Sequence, residues 1–287
     1  MLNASTRIDF SVLMATYRED NPRHLVECLQ SIYDQTQQPN QLVLVKDGIL
    51  TPELEQVIER WMPKWGSQLT IVSLARNTGL AAALNEGLKH CTYSWIARMD
   101  SDDVAEPERF QKQLDYLRSN LSVDVVGSWI EEFNEDLTQS LGFRKVPLEH
   151  DEIYSYAKRR NPMNHMTIMF RKESVLSVGG YPQSVEDYSL WGHLLLKGYK
   201  LANIPEILVK VRTGNQFLKR RGGHNYAIFE IKGLNYLRKI GFLSLWQFIV
   251  NVLTRSIVRL GPAVLRRGVY KFLRHKSNSF KVTETRI

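Results

Sequence analysis

Cysteine is nearly absent: Cys28 and Cys91 are the only two among 287 residues. That excludes a disulfide-built scaffold, fits a reducing compartment, and leaves no pair with metal-ligand spacing. Long apolar runs are missing as well. The best, Phe242 to Leu253, contains Gln247 and Asn251 and falls short of the roughly 18 to 20 residues that cross a bilayer. The first residues, with Arg7 and Asp9, offer no apolar export signal, so a cytosolic address is expected. There is no G-x-G-x-x-G and no G-x-x-x-x-G-K-[ST], so a dinucleotide oxidoreductase and a P-loop NTPase both lack their phosphate-binding loops. Internal repeats and low-complexity segments are missing too. What the chain does have is 43% hydrophobic residues, enough for a full core in one or two domains.

Acids are scarce only at the C-terminal end. From Glu230 to Lys276 the chain carries ten basic residues against the single acid Glu230, within a total net charge of +8. In the same segment Ser244, Gln247, Asn251, Thr254, Arg255 and Arg259 fall on one helical stripe. Phe242, Leu245, Trp246, Ile249, Val250, Leu253 and Ile257 cover the rest of the circumference. Pro262 ends that helix, and a second basic one is predicted over 263–275. Basic, apolar-faced helices of this kind lie in membrane interfaces and are drawn to anionic headgroups. Nucleic acid is not expected, because no stacking platform or binding motif accompanies the charge.

The first half alternates β-rich runs with helical stretches, which predicts an α/β fold: a doubly wound, mainly parallel sheet covered by helices. Strands are expected over Phe10 to Thr16, Gln41 to Lys46, Leu69 to Leu74, Ser94 to Met99 and Val123 to Trp129. Helices are expected after Asn21-Pro22, over Pro52 to Trp61, over Leu80 to Leu88 and after Pro107. The second half reads as a ribbon near Leu141 to Val146, strands at Met166 to Phe170 and Ile207 to Val211, and a helix from Asp187 to Leu196. Ligands of such sheets sit beyond the carboxyl ends of the strands.

Those ends are polar. The fourth terminates in Asp100-Ser101-Asp102-Asp103, where Asp100 and Asp102 have the hard oxygen atoms that suit Mg²⁺ or Mn²⁺ bridging a diphosphate, unless the acids only cap the next helix. Asp47, before Gly48, is either a turn residue or a hydrogen-bond acceptor for a base or ribose. Asn77 and Gly79 precede a small-residue helix whose N-terminus can approach a phosphate or ribose. Glu186 and Asp187 open a helix as dipole partners, and either carboxylate near a sugar can serve as general base. His165 precedes a strand in the acceptor half and reads either as structural or as acceptor-binding. Lys219, Arg220 and Arg221, in the glycine-bearing loop from Arg212 to His224, form a solvated basic loop or a clamp for a diphosphate.

In order and spacing, Ser11 to Tyr17, Val43 to Gly48, Arg76 to Leu80, Met99 to Asp103 and Val185 to Trp191 resemble the inverting family 2 glycosyltransferases of GT-A fold. The resemblance spans roughly residues 9 to 215 and points in particular to bacterial enzymes of O-antigen, capsule and exopolysaccharide assembly. It implies that Thr16, Tyr17 and Glu19 line a nucleoside pocket and that Asp47 binds the base. Arg76, Asn77, Gly79 and Asp100 would lie near the ribose or diphosphate, with Asp100 and Asp102 as the D-x-D metal pair. Asp187 would be the catalytic base, with Glu186 beside it. Two departures stand out. Lys46-Asp47-Gly48 replaces the paired acids followed by Ser seen in many members, and the Q-x-x-R-W of processive synthases is missing.

The run Asn161 to Met166 and the Glu-Asp-Tyr triplet are similar to a subgroup that adds glucose or galactose to GlcNAc linked through diphosphate to undecaprenol. That implies a UDP-sugar donor, a lipid-linked acceptor met by Asn164, His165 and Trp191, and a peripheral position on the cytoplasmic face of a bacterial inner membrane. The expected organisation is a glycosyltransferase domain over 1–224 (nucleotide-sugar half 1–130, acceptor half 131–224), membrane-associating helices over 225–276, and a tail over 277–287. A polyprenyl-phosphate sugar synthase of the same fold, or a non-catalytic protein binding membranes or nucleic acid, stays open on the sequence alone.

Overall fold

Runs of buried β-branched and leucine residues, each followed by a helix with one apolar stripe, give the computed structural model its alternating first half. The structure describes residues 7–183, 186–213 and 224–260, with no side-chain description for Glu186, Asn225 and 258–260. The strands are β1 (Phe10–Thr16), β2 (Gln41–Lys46), β3 (Leu69–Ser73), β4 (Trp95–Arg98), β5 (Val104–Ala105), β6 (Val125–Phe133), β7 (Ser140–Arg144), β8 (Met169–Arg171) and β9 (Leu201–Arg212). The α-helices are α1 (Pro22–Tyr33), α2 (Pro52–Trp65), α3 (Leu80–His90), α4 (Arg109–Ser119), α5 (His150–Ala157), α6 (Lys172–Ser177), α7 (Glu186–Leu196), α8 (His224–Lys239) and α9 (Leu245–Leu260).

Local chemistry explains the boundaries. Asn21 caps α1 by accepting from the Arg23 amide, and proline follows in the first turn. Leu25, Cys28, Leu29 and Ile32 then recur at helical spacing and are buried. Helix α2 passes the expected stop at Trp61 and contains Pro63. Trp61 and Trp65 both pack edge-on against Tyr33, with ring centroids 5.7 and 5.5 Å away, and that burial outweighs one lost backbone hydrogen bond.

The sheet runs β3-β2-β1-β4-β8-β6-β9-β5, with β7 beside β6. It is parallel from β3 to β4; β8 then enters antiparallel to both β4 and β6. Strand β9 runs parallel to β6, but its register skips Pro205 and Glu206, a bulge placed where proline has no amide to give. One apolar cluster lies under α1, α2 and α4, and the other under α3, α5, α6 and α7. Because the chain builds β1, β2 and β3 outward and returns to place β4 on the other side of β1, the carboxyl ends of β1, β2 and β4 meet at a topological switch. The structure thus has the expected doubly wound half, extended by a mixed half.

Candidate active site

Strand β2 delivers Asp47 to the base of a cradle. Its Oδ1 accepts from the Thr78 amide at 2.7 Å and the Thr78 hydroxyl at 2.9 Å, and its Oδ2 from the Gly79 amide at 3.0 Å. Asp47 therefore shapes the turn Arg76-Asn77-Thr78-Gly79 while Oδ2 keeps a second acceptor lone pair. Gly48 is needed beside it: its φ is +92°, and a Cβ there would lie 2.6 Å from the Asn77 amide nitrogen. Arg76, Asn77 and Gly79 are exposed, and Gly79 precedes α3 without a side-chain cap, leaving amides of the first turn open toward an anion.

The loops after β1 and β4 are bound together by Asp20, a residue the sequence reading passed over in favour of its exposed neighbour Glu19. Asp20 Oδ2 accepts from the hydroxyls of Thr16 (2.9 Å) and Ser101 (2.7 Å) and from the Tyr17 amide (3.2 Å). Burial pushes the Asp20 carboxyl up, and Asp100 adds to it. Burial likewise holds Asp102 up at about 6, with Asp100 and Asp20 pushing the same way. Such a set of acids, raised by burial and by one another, suits a cation. Among the described residues no three His, Cys, Asp or Glu side chains form a metal cage, so an ion held by Asp100 and Asp102 would complete its shell with diphosphate and water oxygens. Asp100 is paired with the buried guanidinium of Arg98. Asp103 points the other way and accepts from the Arg212 amide at 3.0 Å. Helix capping accounts for none of these acids: α4 begins after Glu108 without a side-chain cap.

Asp187 stands in the first turn of α7. Its Oδ2 accepts from Asn161 Nδ2 at 2.5 Å and its Oδ1 from the Tyr188 amide at 2.6 Å. Asn161 is held in turn, since Arg144 Nη2 donates to the carbonyls of Asn161 and Met163, both at 3.4 Å. Asp187 and Asp100 both act electrostatically on the buried pair His165 and Tyr181. His165 lies 3.4 Å from the Tyr181 hydroxyl and edge-on to Trp191, and burial, reinforced by Arg98, lowers it to about 4. Asn85 of α3 grips the Tyr181 backbone from both sides, at 2.9 and 2.8 Å, and only glycine fits at position 180 beneath it.

The acceptor trio lies inside the fold. Asn164 and Trp191 are fully buried and His165 is 8% exposed. Asn164 spends its amide on the Ser128 carbonyl at 2.7 Å. Asn164 Oδ1 and Trp191 Nε1 are buried there without a hydrogen-bond partner among the described residues. Lys219, Arg220, Arg221 and the helix over 263–275 lie outside the described residues. Asp20 and Asn85 escaped the sequence reading, and Asn161 entered it only as the first residue of a run; the signal available was a lone polar residue beside each motif, too common to single out.

The family profile described as Glycosyl transferase family 2 matches residues 11–179, from β1 to the Gly179-Gly180 turn. The chain is a family 2 glycosyltransferase. This glycosyltransferase is 40% identical to UDP-Gal:alpha-D-GlcNAc-diphosphoundecaprenol beta-1,3-galactosyltransferase of Escherichia coli, over 91% of this chain and 95% of that one. It is 37% identical to the amylovoran biosynthesis glycosyltransferase AmsE of Erwinia amylovora, over 91% and 98%. A Pyrobaculum calidifontis mannosyltransferase, solved with GDP-Man and Mn²⁺, superposes with a TM-score of 0.63 at 17% identity, covering 96% of this chain and 84% of that one. The shared fold is GT-A.

Proposed function

We propose that this glycosyltransferase moves a hexose, galactose or glucose, from a UDP-sugar to GlcNAc carried on a lipid diphosphate, with inversion at the anomeric carbon. The relatives in lipid-linked and surface polysaccharide assembly support the substrate classes. The observation that carries the mechanism is the Asp187 carboxylate, held by the Asn161 amide at 2.5 Å at the start of α7, in a fold whose strand β4 leads into the acidic turn Asp100-Ser101-Asp102. Thr16, Tyr17, Glu19 and the Asp47 cradle hold the nucleoside, with Arg76, Asn77 and Gly79 along the ribose and diphosphate. Asp100 and Asp102 would hold Mn²⁺ or Mg²⁺, which neutralises the departing diphosphate when bound. Asp187, oriented by Asn161, takes the proton of the acceptor hydroxyl. That oxygen bonds to C1 of the sugar from the face opposite UDP, and the C1–O bond pair leaves with the β-phosphate. Glu186, next to Asp187 in sequence, is assigned as its accompanying acid, and Lys219, Arg220 and Arg221 are assigned to a diphosphate.

The acceptor's lipid calls for a membrane surface, and α9 fits one. Its Asn251 and Arg255 face the protein, while Leu245, Trp246, Ile249, Val250, Leu253 and Ile257 are exposed, Trp246 by 72%. No described helix is long and apolar enough to cross a membrane. An in-plane helix with exposed apolar residues and neighbouring basic charge suits an anionic leaflet. The division is then a transferase domain over 1–224 and a membrane-associating segment over 225–276 ahead of the tail, at the cytoplasmic face of the inner membrane.

Turnover of Asp187→Asn tests the base. A loss of about 10²-fold or more in kcat is expected, and near-normal turnover would remove the assignment.

A further inference from the structure

Helix α5 ends under two other helices. A helix C-terminus leaves its last carbonyls without partners, and here α7 and α9 supply them. The Tyr188 hydroxyl donates to the Ala157 carbonyl at 2.6 Å, Asn251 to the Lys158 carbonyl at 2.9 Å, and Arg255 Nη2 to the Arg159 carbonyl at 2.9 Å. In return, Lys158 Nζ donates to the Phe242 carbonyl at 2.6 Å. Two residues beyond Arg159 comes Asn161, whose amide holds Asp187. Directly after Asp187 comes Tyr188, which is buried, with the Arg255 guanidinium 5.1 Å from its ring centroid. Arg255 also meets the buried Glu230 of α8 at 3.4 Å.

Arg255 therefore touches both supports of the base: the chain leading to Asn161 and the side chain following Asp187. It does so from a helix whose outer face is apolar and exposed. We propose that Arg255 is a positioning residue for the transfer reaction, fastening the membrane-facing helix α9 to the Asn161–Asp187 pair so that the seating of α9 sets the turnover of the base. The inference rests on the reading of Asp187 as base. The planar fork of Arg suits the task, since it can donate to a carbonyl, pair with a carboxylate and lie over a ring at once. An error in placing a base of the order of an ångström costs about a hundredfold in rate.

The test uses the full chain, UDP-Gal as donor and a GlcNAc-diphosphate on a short, water-soluble alkyl chain as acceptor, so that membrane residence does not enter. Arg255→Ala is expected to lower kcat by roughly ten- to a hundredfold, with KM for UDP-Gal within about twofold because the donor cradle is elsewhere. Arg255→Lys, which keeps the charge and loses the fork, should recover part of that loss. Added to Asp187→Asn, Arg255→Ala should cost less than about a further twofold, since both act through one group. Wild-type kcat in Arg255→Ala, a loss confined to KM, or full additivity with Asp187→Asn overturns the proposal. If Arg255→Ala does not fold, Arg255→Lys decides alone: reduced kcat supports the role and wild-type kcat overturns it. A fully active Asp187→Asn instead removes the base reading, whereas a dead Asp187→Asn beside an unimpaired Arg255→Ala removes only the positioning role.

Discussion

Single residues carry the site through their neighbours. Asn161 is the clearest case, because its side-chain amide donates to the carboxylate proposed as the base while its oxygen accepts from the Met163 amide. Asn161→Ala should cut kcat about 10- to 100-fold and leave donor KM nearly unchanged, which steady-state kinetics checks. Gly48 works through shape. Alanine there meets the Asn77 backbone and strains a positive φ, so Gly48→Ala should displace the turn at 76–79 and weaken UDP binding at least about tenfold by calorimetry, with a stability cost of about 1–3 kcal/mol. His165 gives a pH signature. Its native pKa of about 4 lies below the ordinary 6.5, so the unfolded chain takes a proton that the native state refuses, and stability falls as pH drops from about 6.5 toward 4. The contribution is about 3 kcal/mol over that window. Urea melts of the wild type and His165→Gln across it should differ in slope, and parallel slopes would contradict the placement.

At the scale of elements, the strands leading to Thr16, Asp47 and Asp100 were legible because a parallel strand announces itself as a buried run with a polar sequel. The helix at Asp187 was legible for a similar reason. What the sequence could not give was how the acceptor half inserts: β8 has three residues, and its antiparallel place between β4 and β6 is set by both neighbours. That Asn164 and Trp191 are fully buried was not legible either, because proximity to a motif says nothing about which way a side chain packs. For α9 the two faces were readable, but not which one the protein takes. The protein takes Asn251 and Arg255 of the polar stripe, whose donors reach the carbonyls at the end of α5, together with Phe248 and Val252, and most of the apolar residues are left outside. Replacing Trp246 and Leu253 together by Ser should reduce sedimentation with phosphatidylglycerol vesicles at least about tenfold, while kcat on a water-soluble acceptor stays at the wild-type level. Unchanged vesicle binding would count against α9 as the anchor.

For the whole molecule, the proposed function joins sugar transfer by a GT-A fold to a membrane contact through α9. Excess EDTA, with tightly bound metal removed, should abolish transfer, and Mn²⁺ should restore it. Restoration should weaken as pH falls through about 6, where Asp102 takes up a proton. Hexose transfer to a lipid-linked sugar is tested by a donor panel. UDP-Glc, UDP-Gal, UDP-GlcNAc, UDP-GalNAc and GDP-Man would each be incubated with the full chain, Mn²⁺ and a synthetic GlcNAc-diphosphate-lipid, and the products weighed by mass spectrometry. The account predicts that UDP-Gal or UDP-Glc alone is consumed and that the acceptor gains one hexose. Transfer from GDP-Man or a UDP-N-acetylhexosamine instead, or an acceptor of unchanged mass with every donor, would contradict it.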